Sequence, residues 1–343
     1  MGARHTKEST LMLTIYSAVH FLVDFCCAFI MFRLLSHTAV WYTTILLYNF
    51  CAFAMQMPLG IIADRLNRNA LFAAAGCLLV LISPLFISVP ILAAVILGLG
   101  NGAFHVGGGV DVLNISEKKC WPLGIFVSPG AFGIYFGAIA GRGTVLPVYT
   151  VTIMLAAAIL MILLFIRKKS DNAAFSLAGT GKAGTVAAAV LLFLVVCLRS
   201  FVGMTLSFPW KSGWHWAVIL TTAVVFGKAA GGIISDKIGM SRTSLISLGG
   251  AALLFLLGNY PMAGVAAIFL FNMTMPLTLW AIAKAFPQAK GFSFGLLTFA
   301  LFIGFIPSYL NIVPVMSSFT IFALLSLFSL AILLLGLRGV KQE

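Results

Sequence analysis

The chain is built almost entirely of apolar runs long enough to cross a lipid bilayer. Twelve of them follow one another, separated by short polar or Pro/Gly breaks: 11–33, 39–62, 70–87, 89–113, 121–141, 146–166, 185–207, 215–234, 243–259, 262–283, 291–310 and 314–337. A spanning helix needs about 20 apolar residues. Inside lipid every backbone N–H and C=O must be paired within the protein, so only helices and closed barrels can cross. The runs lack the strict alternation of barrel strands, so the pattern predicts an all-α membrane protein of twelve transmembrane helices. The shortest break is Ser88-Val89-Pro90, which makes 70–113 the segment most open to a different division.

Composition says the same by exclusion. Charged residues make up 8% of the 343 and mean hydropathy is +1.12, whereas a soluble domain carries roughly 25% charged residues to wet its surface. A soluble enzyme, a secreted disulfide scaffold and a disordered chain are thereby excluded. The six cysteines fall mostly in apolar stretches and form no C-x-x-C pair, so they read as small core residues. The start, Met1-Gly2-Ala3-Arg4-His5-Thr6, loosely fits a myristoylation pattern, and the first apolar run reads as a retained span. No P-loop, HExxH or nucleophile elbow occurs, so no enzyme activity, cofactor or metal is expected.

The net charge of +13 is explained by placement. With both termini on one side and loops assigned alternately, 17 of the 21 basic residues fall on that side; Arg33, Arg142, Arg199 and Lys211 remain. Such asymmetry is the positive-inside signal. It predicts a multi-pass protein of the cell (inner) membrane with both termini cytoplasmic, its cations facing anionic lipid rather than nucleic acid.

The longest cytoplasmic connection lies at mid-chain. It divides an N-terminal bundle of six helices (1–169) from a C-terminal one (185–343) through a linker at 170–184. Internal repetition supports that division. Gly60-Ile-Ile-Ala-Asp64-Arg65-Leu-Asn67-Arg68 follows the second span, and Gly232-Ile-Ile-Ser-Asp236-Lys237-Ile-Gly239-Met-Ser-Arg242 follows the eighth. Asp64 and Asp236 are 172 residues apart; Gly124 and Gly295, and Gly133 and Gly304, are 171 apart. A duplicated bundle of like orientation places a binding site near the membrane midplane.

At these two loops the chain resembles the major facilitator superfamily, whose signature G-x-x-x-D-R/K-x-G-x-x-R/K is met in both halves, with Asn67 in place of the usual Gly in the first. The resemblance implies two pseudo-symmetric six-helix bundles. It also implies a cytoplasmic latch made of Gly60, Asp64, Arg65, Arg68, Gly232, Asp236, Lys237 and Arg242, which holds an outward-facing state. A carboxylate at such a helix end can accept backbone N–H bonds and meet a helix N-terminus; the alternative is a charged loop that only sets topology. In span five, Gly124-Ile-Phe-Val-Ser-Pro129-Gly130-Ala-Phe-Gly133 resembles the Gly-Pro antiporter motif of the drug-efflux branches, and close helix packing is the alternative.

The working parts are expected among charges inside the membrane, where an ionisable group is costly and so a functional candidate. Asp24 lies in span one, with His20 one turn before it on the same face. Asp111 lies towards the cytoplasmic end of span four. Arg199, always charged, lies in span seven and needs an anionic partner: Asp24, then Asp111, then a substrate. Protonation of Asp24 could release Arg199 to a substrate, or the pair could be a static bridge. His105 precedes Gly107-Gly108-Gly109, glycines that weaken a helix. His20-Phe-Leu-Val-Asp24, Phe104-His105, and Leu198-Arg199-Ser200 with Phe208-Pro209 resemble the fosmidomycin-resistance type of efflux transporter, with Val106-Gly107 in place of its usual Pro-Glu.

The expected function is secondary transport of a small organic molecule by alternating access, through proton-coupled efflux. Proton-coupled or facilitated uptake of a nutrient or anion is the alternative, and a non-transporting membrane sensor the reading of another class. Proton coupling falls to Asp24, His20 and His105. Substrate binding falls to Arg199, Asp24, His105, Tyr16, Asn272 and Trp280. The expected partners are the substrate, protons and the bilayer, with the protein a monomer. The turn Trp210-Lys-Ser-Gly-Trp214-His-Trp216 reads as an interfacial anchor or an external gate.

Overall fold

A computed structural model describes residues 2–166, 172–177, 183–312 and 318–341, with side chains from 7 to 340 within those ranges. Among them the chain is helical throughout, with no strand. The helices are α1 (Lys7–Leu35), α2 (Trp41–Leu66), α3 (Asn69–Phe86), α4 (Pro90–Ile115), α5 (Trp121–Arg142), α6 (Val148–Phe165), α7 (Ala183–Thr205), α8 (Trp214–Ile238), α9 (Met240–Leu256), α10 (Pro261–Ala285), α11 (Lys290–Tyr309) and α12 (Phe319–Val340). Eleven are long and apolar enough to span a membrane; α9 is shorter. Pro90 starts α4 after a short turn, so 70–113 forms two helices. Part of the linker at 170–184, including Asp171 and Lys182, lies outside the described residues, as do Arg167, Lys168, Lys169, Met1 and the expected start of span twelve at 314–317.

The apolar surface has the pattern lipid requires. Leu71, Leu78 and Leu85 of α3 are exposed at every seventh position, and Leu324, Leu327, Phe328 and Leu335 form one exposed face of α12. Bilayer, unlike water, leaves such faces without penalty, and helix association then depends on close packing.

The chain forms two compact units. One comprises Met1–Ile115, Pro129–Phe175 and Gln288–Thr298; the other Ser116–Ser128, Ser176–Pro287 and Phe299–Glu343. The first unit thus takes the second part of α5 and the beginning of α11, and the second unit takes the converse parts.

Glycines decide the tightest contacts in the first unit. Gly130, Gly133, Gly137 and Gly141 lie three or four apart on α5. A Cβ at Gly133, Gly137 or Gly141 would strike the carbonyl of Phe21, Phe25 or Phe29 of α1. Helix α4 runs without a break through Gly107-Gly108-Gly109. The expectation of a weakened helix there is corrected: Gly107 lets α4 approach Ala73 of α3, and Gly109 admits the ring of Phe294. Close packing on these bare faces holds a segment that intrinsic propensity disfavours.

Candidate functional site

In the first unit, α1 and α4 bring three ionisable side chains together. His20 and Asp24 are one helical turn apart on α1, with His20 Nε2 3.2 Å from Asp24 Oδ2. His105, on α4, sets Nε2 2.9 Å from His20 Nε2 and 3.7 Å from Asp24 Oδ1. Asp24 and His20 are buried. Asn101, one turn before His105, completes the arrangement. Its side-chain amide donates to Asp24 Oδ1 at 3.1 Å and lies 3.4 Å from Cys27 Sγ, while its backbone carbonyl lies 2.9 Å from His105 Nδ1. A carbonyl only accepts, so His105 Nδ1 carries the hydrogen. In the neutral ring, Nε2 then holds the lone pair that faces His20 and Asp24.

Such a cluster can hold, share and pass a proton. Three basic atoms lie within one or two hydrogen-bond lengths, and an amide stabilises the carboxylate. Gly130 of α5 closes one side, and a Cβ there would meet Asp24 Oδ2 and His20 Nε2.

The other intramembrane acid has a different setting. Asp111 accepts from the Tyr16 hydroxyl at 2.7 Å and from Asn69 Nδ2 at 2.8 Å. Tyr16 is fully buried, and its hydroxyl bond ties α1 to α4. Asn69 Nδ2 also donates to Asn172 Oδ1 at 2.9 Å, and Asn172 Nδ2 donates back to Asn69 Oδ1 at 3.1 Å. Asn114 joins them through its own amide at 2.9 Å and accepts from Lys290 Nζ at 3.0 Å. This polar seam fastens the start of the linker to the ends of α2, α3 and α4.

In the second unit, the Arg199 guanidinium on α7 donates to Thr278 Oγ1 of α10 at 3.3 Å. The half-buried Trp280 donates its indole N–H to Ser116 O at 2.9 Å, and Lys284 Nζ stands 5.2 Å from its ring centre. Asn272 donates to Ile268 O one turn back at 2.9 Å. Trp210 donates to Gly258 O at 2.8 Å and stacks on Phe208, while Trp214 is exposed.

The two signature loops do the same thing twice. Asp64, buried at the end of α2, accepts from the backbone N–H groups of Gly291 and Phe292 at 2.8 and 3.0 Å, the first turn of α11. Asp236, exposed at the end of α8, accepts from those of Cys120 and Trp121 at 2.7 and 3.0 Å, the first turn of α5. These are N–H groups of a helix N-terminus, where a carboxylate is favoured by hydrogen bonding and by the dipole. Glycines allow the approach in both copies. A Cβ at Gly60 would strike the Gly291 carbonyl, and one at Gly232 would press on Cys120 and Trp121. Asn67 and Gly239, equivalent in the repeat, both have positive φ, +50° and +88°. Asn tolerates that left-handed turn better than other residues with a Cβ, which explains its place in the motif. Arg65 lies 5.1 Å over the Phe175 ring; Arg68, Lys237 and Arg242 are exposed.

No protein-family model matches the chain, and no curated protein matches it in sequence. Solved structures do match its fold. An outward conformation of the major facilitator superfamily transporter FucP aligns with a TM-score of 0.68 at 13% identity, covering 98% of this chain and all of that one. A single-substitution variant of FucP, the Escherichia coli fucose:proton symporter, aligns at 0.65 and 13%, covering 96% and 98%. The human organic anion transporter MFSD10 (TETRAN) aligns at 0.66 and 13%, covering 95% and 99%. The chain therefore has the twelve-helix fold of the major facilitator superfamily.

Proposed function

We propose that the protein is a secondary active transporter of the major facilitator superfamily, carrying a small organic molecule by alternating access and exchanging it for protons. The observation that carries this reading is the buried His20–Asp24–His105 cluster. Two imidazoles and a carboxylate inside membrane-spanning helices are costly unless they serve ion movement or binding, and their mutual distances allow a proton to move among them.

In this reading His20, Asp24 and His105 carry the proton, and Arg199 with Thr278 receives an anionic or polar group of the substrate. Protonation of Asp24 couples the two events. Trp280 and Asn272 shape the substrate side of the second half. The halves are 1–169 and 185–343, joined by the linker at 170–184. The aspartate–helix contacts at Asp64 and Asp236 act as cytoplasmic latches, together with Arg65, Arg68, Lys237 and Arg242. Both termini are cytoplasmic, the membrane is the cell membrane, and the working unit is a monomer.

Efflux by antiport is favoured by the Pro129-Gly130 pair, which sits against the cluster, as a coupling element would. Uptake by symport is the second reading, favoured by the structural likeness to a fucose:proton symporter. Everted membrane vesicles separate the two: an acid-inside gradient drives accumulation of the substrate by an antiporter and its loss by a symporter. Asp24→Asn tests the coupling in either case. It should abolish the response of transport to pH; a variant that transports as well as wild type and keeps that response would sink the reading.

A further inference from the structure

We propose that His20, Asp24 and His105 form a binding site for a divalent transition-metal ion of the zinc class. Three side chains, each offering one donor atom, converge with all those atoms within 4.8 Å of one another. Two ligands bound at about 2.0–2.1 Å to one tetrahedral ion stand roughly 3.4 Å apart. The imidazole nitrogens stand 2.9 Å apart, and Asp24 presents Oδ2 3.2 Å from His20 and Oδ1 3.7 Å from His105, so the donors already lie near that spacing and small side-chain rotations bring them to it.

The surroundings are those a metal site needs. Ligating histidines ordinarily donate their second ring N–H to a carbonyl or carboxylate, which fixes the tautomer and aims the lone pair at the ion. His105 does this through Nδ1 and the Asn101 carbonyl. Ligating carboxylates are themselves held by hydrogen bonds, and Asn101 Nδ2 holds Asp24 Oδ1. Gly130 packs against the cluster, where a Cβ would meet both Asp24 Oδ2 and His20 Nε2; a glycine at this place leaves the donor atoms without a competing side chain from α5. Two imidazoles and one carboxylate suit Zn2+, Co2+ or Ni2+ rather than Mg2+ or Ca2+, which prefer oxygen-rich shells. With three protein ligands the fourth position stays open to water or a carried molecule, as in exchangeable rather than structural sites. Binding requires only these donor atoms, whichever molecule the chain carries.

The test uses the full-length protein without an affinity tag, purified in detergent and stripped with chelator. Zn2+ should raise its apparent melting temperature and bind with a stoichiometry of one, while Mg2+ should not. Co2+ should give intense visible ligand-field bands of a four-coordinate site. His20→Gln and His105→Gln should each weaken Zn2+ binding by about ten-fold or more, whereas the triple substitution His5→Ala, His37→Ala, His215→Ala should leave it unchanged. Unaltered affinity in either glutamine variant, or binding lost in the triple alanine variant, would overturn the proposal. So would weak octahedral Co2+ bands in the wild-type protein, a measurement that needs no variant to fold.

Discussion

Replacing Asp64 by Asn should loosen the seam between α2 and α11 more than Asp236→Asn loosens its counterpart between α8 and α5. Each carboxylate accepts two backbone N–H bonds from the first turn of a helix, at 2.8 and 3.0 Å for Asp64 and at 2.7 and 3.0 Å for Asp236. Bonds to a charged group contribute about 1.5–3 kcal/mol each, and the helix N-terminus adds roughly 0.3–1 kcal/mol. Asn keeps one neutral acceptor and turns an NH2 towards a second donor. The net loss at the buried Asp64 is therefore about 2–4 kcal/mol. At the exposed Asp236 solvent competes for the same donors, and the loss should be about half of that. A thiol-reactive dye can follow unfolding, because five of the six cysteines are buried and none is in a disulfide. Asp64→Asn should lower the apparent melting temperature by several degrees, and Asp236→Asn by clearly less. Hydrogen exchange locates the effect: the amides of Gly291 and Phe292 should exchange faster in Asp64→Asn alone, and those of Cys120 and Trp121 in Asp236→Asn alone. If the two variants lose equal stability, or if Gly291 stays protected without the carboxylate, the assignment of strength to burial and charge is wrong.

Gly130→Val should abolish proton-coupled transport while the protein still reaches the membrane, because its side chain enters the space beside His20 and Asp24; a pH-jump assay in proteoliposomes reads this. Tyr16→Phe removes a donor bonded to Asp111 and should cost about 1–3 kcal/mol of stability with KM for the substrate unchanged, since the ring is fully buried. Asn67→Ala should destabilise by about 1 kcal/mol more than Asn67→Gly, because the position has positive φ and both variants lose the bond from the Asn172 N–H; thermal unfolding checks both. Arg199→Lys should raise KM at least ten-fold if the planar guanidinium receives a substrate anion, and an unchanged KM would remove Arg199 from the binding site.

The helices were legible because lipid imposes one requirement on all of them. A run of about 20 apolar residues has few other fates, and the break at Val89-Pro90 was enough to separate α3 from α4. Chain duplication was legible for a related reason: two glycines and an aspartate recur at offsets of 171 and 172 residues because equivalent contacts need them. Gly124 would carry a Cβ into the Lys228 carbonyl and Gly295 one into the Gln56 carbonyl, and positions 56 and 228 are again 172 apart. Asn101 and Asn172 were harder. Asn101 sits one turn before His105, so helical spacing alone could have linked it to the cluster. Nothing in the sequence marks its amide as the one that reaches Asp24 on another helix. Asn172 lies in a polar stretch with no periodicity, and its five described bonds to Asn67, Asn69, Asn114 and the Ala63 carbonyl arise only once the end of α2, the start of α3 and the end of α4 come together.

The triple glycine of α4 shows where local reasoning fails and why. Propensity assigns each glycine a cost of about 1 kcal/mol against alanine in a helix, which argues for a break at 107–109. In a membrane the unpaired backbone of such a break would cost several kcal/mol per exposed group, so the helix persists and the glycines are read by its neighbours instead. Gly107 meets Asn69 and Ala73 of α3, and Gly109 meets Phe294 of α11. Gly107→Leu would therefore be far more damaging than its gain in helix propensity suggests. A side chain there has to displace the α3 backbone, and with it Asn69, a donor to Asp111. Loss of folded protein should follow, whereas Gly203→Leu, at a position open on α7, should be tolerated. Comparable yields for the two variants would show that propensity, and not packing, governs these helices.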